Sequence, residues 1–288
     1  MSLAFALVVI HYRDPAAVDL LLADSQVWEQ PPGTTFVVDN SSDFVSQHPF
    51  EVTVIRPSAN VGYGAAANAG IRAARVRGYD FVLLVTQDCW LEPHASAILL
   101  DAFVFDELTA VAAPLLAYRD RPTVVFSAGG VVSPVGRTTH PASGCAVSDF
   151  EQSERQPIEW ADGACLMLRA RAFEEVGGFD PAYFLYVEEV DLQLRLRLAG
   201  HRILVVPQAR GWQSPGNYTT YLKYRNLTYF TRKFPGHFDR WPWARQLYID
   251  SRGALLGRSR HSPAWGLRGY LDAARSRMGP PPKSLFRK

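Results

Sequence analysis

The chain has 288 residues, 48% of them hydrophobic and 20% charged, which suits a large buried core and excludes a stapled module or a mainly disordered chain. Its three cysteines, Cys89, Cys145 and Cys165, show no metal-ligand or redox spacing and point to a reducing compartment. The net charge of +2 is uneven: residues 251–288 hold nine Lys or Arg against Asp272 alone, so this tail is +8 and the rest of the chain −6.

The apolar run 3–10 has no basic residue before it and leads into His11-Tyr12-Arg13-Asp14, so it reads as a buried strand over 4–10, not a secretion signal. Asp14-Pro15 then marks a helix start, with Val18, Leu21, Leu22 and Trp28 as its apolar stripe. Strands follow over 35–38 and 52–56, an Ala-rich helix over 65–77 and a strand over 81–85. This β-α-β-β-α-β order predicts an α/β fold, with a mostly parallel central sheet flanked by helices. Residues 114–160, with scattered Gly and Pro, predict hairpins and a long loop. Beyond them come a strand over 164–168, a helix over 170–176 closed by Gly177-Gly178, and a helix over 192–199 capped by Gly200. A strand over 202–206 and a helix over 218–233 complete the order. No apolar run reaches the roughly 18 residues that span a bilayer.

In parallel sheets ligands bind beyond the carboxyl ends of the strands. His11-Tyr12, Asp39-Asn40, Asn60-Val61-Gly62 and Gln87-Asp88 all fall at such ends. Each alone reads as a plain turn; together they line one crevice. Asp88 suits a divalent cation held against a diphosphate, or a turn cap. Glu188, Glu189 and Asp191 crowd three acids into four positions. Crowding raises at least one carboxyl toward general-base strength, although acids in a first helical turn also simply favour the helix dipole. On a helix Glu188 and Asp191 share a face and Glu189 points elsewhere. Gly62-Tyr63-Gly64-Ala65-Ala66-Ala67 fits G-x-G-x-x-A, but it follows the third strand and Asp88 comes too late, so a dehydrogenase is rejected. No G-x-S-x-G, Walker A or H-E-x-x-H sequence is present.

Taken in order over residues 4–233, these segments resemble inverting family-2 glycosyltransferases of the GT-A fold, a nucleotide-diphospho-sugar transferase architecture. Rhamnosyltransferases of bacterial cell-wall or surface polysaccharide are the nearest in look. The resemblance rests on His11-Tyr12, Val37-Val38-Asp39-Asn40-Ser41-Ser42, Asn60-Val61-Gly62-Tyr63-Gly64, Asn68-Ala69-Gly70-Ile71, the strand to Asp88, and Gly163-Ala164. Its most specific part is Gly177-Gly178-Phe179-Asp180 with Phe184-Leu185-Tyr186-Val187-Glu188-Glu189-Val190-Asp191-Leu192.

The resemblance implies that Asp39 contacts the nucleotide base, with His11, Tyr12, Asn60 and Gly62 beside the nucleoside. It makes Asp88 the last acid of the D-x-D motif, binding Mg²⁺ or Mn²⁺. It makes Glu189 the base, with Glu188 before it and Asp191 supporting the helix start. The donor is then a nucleotide diphosphate sugar and the acceptor a polyprenyl-diphosphate-linked or growing glycan. Three positions depart from the family. The D-x-D slot reads Thr86-Gln87-Asp88, without its first acid, where close relatives often carry Asn-Pro-Asp. The base is Glu, not Asp. A metal-binding His is replaced by Gln213, a weaker ligand.

Two other readings stay open: a degenerate relative that binds nucleotide sugar without catalysis, and a nucleotidyltransferase on a similar sheet. The expected organisation is a transferase domain over 1–235 and a basic extension over 236–288. Tyr218, Tyr221, Tyr224, Arg225, Tyr229, Arg232 and Lys233 read either as an interfacial helix or as a plain packed one. With the basic tail they predict a cytoplasmic protein attached to the anionic cytoplasmic face of the membrane. No fold motif for nucleic acid accompanies the tail.

Overall fold

The computed structural model describes residues 3–104, 106–214, 216, 219–239, 248, 249, 252 and 262–286. Strand β1 (Phe5–His11) is buried along its whole length. Phe5, Leu7 and Val9 enter one core cluster, and Ala6, Val8 and Ile10 another on the opposite face of the sheet. Burial on both faces explains the unbroken apolar run. Helix α1 (Pro15–Ser25) starts where Asp14 accepts from the Ala17 N–H at 3.1 Å, with Pro15 in the first turn.

Strands β2 (Thr34–Asp39), β3 (Val52–Ile55) and β4 (Phe81–Thr86) join β1 in parallel, in the order β4-β1-β2-β3. Helix α2 (Tyr63–Val76) crosses between β3 and β4. Then come β5 (Cys89–Leu91), helix α3 (Ala95–Asp101), and the hairpin of β6 (Thr109–Tyr118) and β7 (Arg121–Ser127). The short β8 (Val131–Val132) and β9 (Thr138–Thr139) pair with each other, and β10 (Gln156–Pro157) lies at the far edge of the main sheet.

Strand β11 (Cys165–Arg169) runs antiparallel between β4 and β6, while β12 (Arg202–Gln213) is parallel to β6. Before β12 stand α4 (Ala170–Glu175) and α5 (Glu188–Leu198). One core cluster takes Val18, Leu21 and Leu22 of α1 with Leu99 of α3; the other takes Ala67 and Ile71 of α2 with Leu192 and Leu196 of α5. Strand β6 was hidden in sequence by Pro114, which sits where the β6–β12 register slips between Val206 and Arg210.

Helix α6 (Thr220–Lys233) is a packed helix, not an interfacial one. Tyr221, Tyr224, Arg225 and Asn226 are buried. Helix α7 (Pro263–Ala274) covers α6: the Tyr221 hydroxyl donates to Asp272 at 3.0 Å. A Cβ on Gly269 would lie 2.4 Å from the Tyr221 carbonyl, so the two backbones meet where only glycine fits. No described helix is long and apolar enough to cross a membrane. Tyr218 and the tail residues Arg258, Arg260, Arg287 and Lys288 lie outside the described residues.

Candidate active site

At the ends of β1, β2 and β4, His11 stands between two acceptors. Its Nδ1 faces Gln87 Oε1 at 2.7 Å and its Nε2 faces Asp43 Oδ1 at 2.6 Å. Gln87 is held by the Tyr12 backbone in both directions. Asp39 is fully buried and accepts backbone N–H bonds from Ser41, Ser42 and Phe44. Burial pushes its carboxyl up, but those N–H groups and His11 outweigh it and leave the pKa below the ordinary value. His11, Asp39 and Asp43 bring their donor atoms within 4.8 Å of one another. His11 is already hydrogen-bonded to Asp43, and both acids are bonded to this loop, which makes them a structural network first.

The segment before α5 is strained. Phe184, Tyr186 and Val187 have φ of 68°, 73° and 77°, and Val187 is β-branched. The Tyr63 N–H donates to the Phe184 carbonyl at 2.8 Å. Gly62, at φ +83°, leaves room for that carbonyl: a Cβ there would lie 2.1 Å from it. The Asn60-Val61-Gly62 motif therefore abuts the acid-bearing turn. Asn60 accepts from the Gly62 N–H at 2.9 Å, and Asn68 exchanges hydrogen bonds with the Phe179 backbone.

Glu188 and Glu189 both line a cavity of about 470 Å³, together with Thr86, His140, Asp162 and Gln213. Burial, against opposing backbone hydrogen bonds and Arg225, lifts the Glu188 carboxyl to about 7. Burial, then the charges of Glu188 and Asp162, push Glu189 well up. Two adjacent desolvated carboxyls do not both ionise easily, so the pair retains a proton toward neutral pH. Among the lining residues, Thr86 Oγ1, His140 Nδ1, Trp160 Nε1, Glu188 Oε2 and Gln213 Oε1 are buried without a hydrogen-bond partner. Unsatisfied donors and acceptors converging on one cavity are what a polar ligand would complete.

Asp191, grouped by sequence with the two glutamates, does not line this cavity. It is fully buried and bound by Arg195 at 2.7 Å, Lys233 at 2.8 Å and the Tyr183 hydroxyl at 3.2 Å. The helix start turns Glu188 and Glu189 to the cavity and Asp191 into the protein. His11, Tyr12, Asp39, Asn60, Gly62 and Asp88 also stand outside its lining. Asp88 is close by: its charge raises both Asp162 and Tyr186.

Asp162, His140, Trp160 and Tyr63 are site residues that sequence reasoning missed. Asp162 arrives because β11 is antiparallel. Cys165 pairs with Val85, the Thr86 N–H donates to the Ala164 carbonyl at 2.9 Å, and that register continued sets Asp162 across from Asp88. From the other side β12 places Gln213 against Cys89, and the Ser214 N–H reaches the Asp88 carbonyl. Asp162 lies 3.7 Å from His140, whose own pKa burial lowers. Burial, then the Asp88 charge, raise Asp162 against the pull of His140 and the Ala164 N–H.

The sequence profile described as Glycosyltransferase like family 2 matches residues 7–232. The chain belongs to this family. The family-2 glycosyltransferase is 29% identical over 235 residues to N-acetylglucosaminyl-diphospho-decaprenol L-rhamnosyltransferase of Mycobacterium tuberculosis (strain H37Rv), covering 73% of this chain and 75% of that one. It is 35% identical over 80 residues to Rhamnosyltransferase WbbL of Escherichia coli (strain K12), 28% of each. In fold it is similar to GalNAc-T7 solved with UDP, GalNAc and Mn²⁺ (TM-score 0.61, 13% identity, 94% of this chain and 54% of that one). It is also similar to the mannosyltransferase PcManGT of Pyrobaculum calidifontis in complex with GDP-Man and Mn²⁺ (TM-score 0.57, 14% identity, 95% and 86%). The expected GT-A architecture is thus the one this glycosyltransferase adopts.

Proposed function

We propose that this glycosyltransferase inverts the anomeric centre while moving a sugar, rhamnose by likeness to its relatives, from a nucleotide diphosphate sugar to a polyprenyl-diphosphate-linked or growing cell-surface glycan. The observation that carries the reading is the pair Glu188 and Glu189, desolvated side by side in a cavity at the mouth of the sheet. Glu189 accepts the proton of the acceptor hydroxyl. The freed oxygen bonds to the anomeric carbon from one face as the bond to the diphosphate breaks on the other. The nucleoside diphosphate leaves with that electron pair. Glu188 keeps Glu189 proton-hungry through its charge, and Asp191 anchors the helix that bears both.

The oxygen donors Asp88, Asp162 and Gln213 suit Mg²⁺ or Mn²⁺, and the unpartnered Gln213 Oε1 fits a ligand role. Such an ion would neutralise charge on the departing diphosphate. On the β1–β2 side Tyr12, 42% exposed, faces the nucleoside with His11, Asn60 and Gly62, while Asp39 acts by fixing the loop 41–44. The cations Arg137 and Lys223 line the main cavity and suit anionic substrate groups. Membrane attachment falls to α7, whose exposed Leu267 and Leu271 stand beside exposed Arg268 and Arg275, and not to α6.

The test is a thermal-shift screen of UDP-, dTDP- and GDP-sugars with Mn²⁺, followed by transfer to a polyprenyl-diphosphate-linked acceptor and stereochemical analysis of the product. One donor class should stabilise the chain and yield an inverted linkage. A retained configuration, or stabilisation by no nucleotide sugar, contradicts the proposal.

A further inference from the structure

The strained turn 184–187 needs something to hold it, and two fully buried polar side chains of α6 do so. Asn226 Nδ2 donates to the carbonyls of Leu185 and Tyr186, each at 2.8 Å, and approaches that of Tyr183 at 3.3 Å. Its orientation is set by Arg225, whose Nε donates to Asn226 Oδ1 at 2.9 Å. Arg225 also donates to the Tyr183 carbonyl at 2.6 Å and to the Gly279 carbonyl at 2.5 Å. The Gly279 N–H in turn donates to the Ala182 carbonyl at 3.0 Å. Every carbonyl from Ala182 to Tyr186 except that of Phe184 is therefore gripped from α6 or from the segment after α7. Phe184 is gripped from the opposite side by Tyr63.

Burying a guanidinium and an amide with no solvent contact is costly unless their hydrogen bonds are used. Here most of the bonds go to backbone carbonyls of a segment in which three non-glycine residues within four positions have positive φ. A turn in that conformation persists only when its surroundings over-determine it. We infer that Arg225 and Asn226, closed by Gly279, are positioning residues: they hold turn 183–187 so that Glu188 and Glu189 enter the cavity together. The C-terminal segment is then a structural part of the active site as well as a basic extension. The catalytic consequence rests on the base role proposed for Glu189.

The experiment uses the full chain with Asn226→Ala and Arg225→Lys, reading amide exchange by region and steady-state kinetics together. Exchange of 183–190 should quicken about tenfold while the β1–β4 core stays protected, and kcat should fall about 10–100-fold with donor KM within about threefold. A role in stability alone would loosen the chain evenly and leave kcat near wild type, and either result overturns the inference. If Asn226→Ala does not fold, Arg225→Lys, which keeps the charge and loses the fork, decides by the same readings. A wild-type chain that transfers no sugar would sink the proposed function, while regional exchange would still decide whether the clamp orders the turn.

Discussion

The backbone N–H of Tyr63 meets the carbonyl of Phe184 at 2.8 Å, which joins the glycine motif after β3 to the turn that carries Glu188 and Glu189. Gly62 makes room for this contact. Gly62→Ala should cost about 2 kcal/mol or more, because it adds positive-φ strain to a backbone clash, and should also depress turnover. Denaturant unfolding and kcat on the same preparation check this. An unchanged midpoint with normal turnover would show that the contact is dispensable.

Asp162 should matter for the cation. Asp162→Asn is expected to weaken Mn²⁺ binding about tenfold or more, as Asp88→Asn should, since each removes a charged oxygen donor. Titration calorimetry or Mn²⁺ electron paramagnetic resonance without any sugar donor reads this directly. His11→Gln should leave Mn²⁺ affinity unchanged; a large loss there would move the ion to the His11–Asp39–Asp43 group.

The raised carboxyls carry a pH signature. Glu188 is held at about 7 against an ordinary 4.5. The native state therefore binds more protons than the unfolded chain between those values. The stability linked to this group is fully present below about 4.5 and is lost as pH rises toward 7. Glu188→Gln should flatten that decline, so that Tm near pH 7 rises by roughly 3–6 °C relative to wild type while Tm near pH 4 does not. Turnover has the opposite slope, because the base must be ionised, and should climb through neutral pH. A wild-type rate that is flat from pH 5 to 8 would count against an acid–base role for the pair.

For the membrane, replacing both Leu267 and Leu271 by Ser should reduce binding to anionic vesicles by about tenfold without altering transfer to a soluble acceptor analogue. Co-sedimentation with phosphatidylglycerol vesicles measures it. Equal sedimentation of the two proteins would exclude α7 as the contact face.

Much of this architecture could be read from residues alone. The buried run of β1, the Asp14-Pro15 helix start and the ordered polar strand ends follow from local physics, and they put Asp88 at the mouth of the sheet; only the family resemblance gave Glu188, Glu189 and Gln213 their roles beside it. Strand direction is not local. Nothing in 164–168 says that it runs antiparallel, so Asp162 could not be assigned to the same edge as Asp88. Pro114 disguised β6 because a ladder that tolerates a proline depends on its partner's register slip. The charges of α6 looked surface-like because the carbonyls that satisfy Arg225 and Asn226 come from a turn some forty residues earlier. Asp191 was grouped by spacing with Glu188 and Glu189, and its bonds to Lys233 and Arg195 separate it from the cavity and fit the support of the helix start that the resemblance implies.

The central claim is that Glu189 takes the acceptor's proton. It is tested most directly by Glu189→Gln in single-turnover transfer with saturating donor and metal. The account predicts a loss of about 10³-fold or more in the transfer rate with nucleotide-sugar affinity within about threefold of wild type. Near-normal transfer by Glu189→Gln would contradict it.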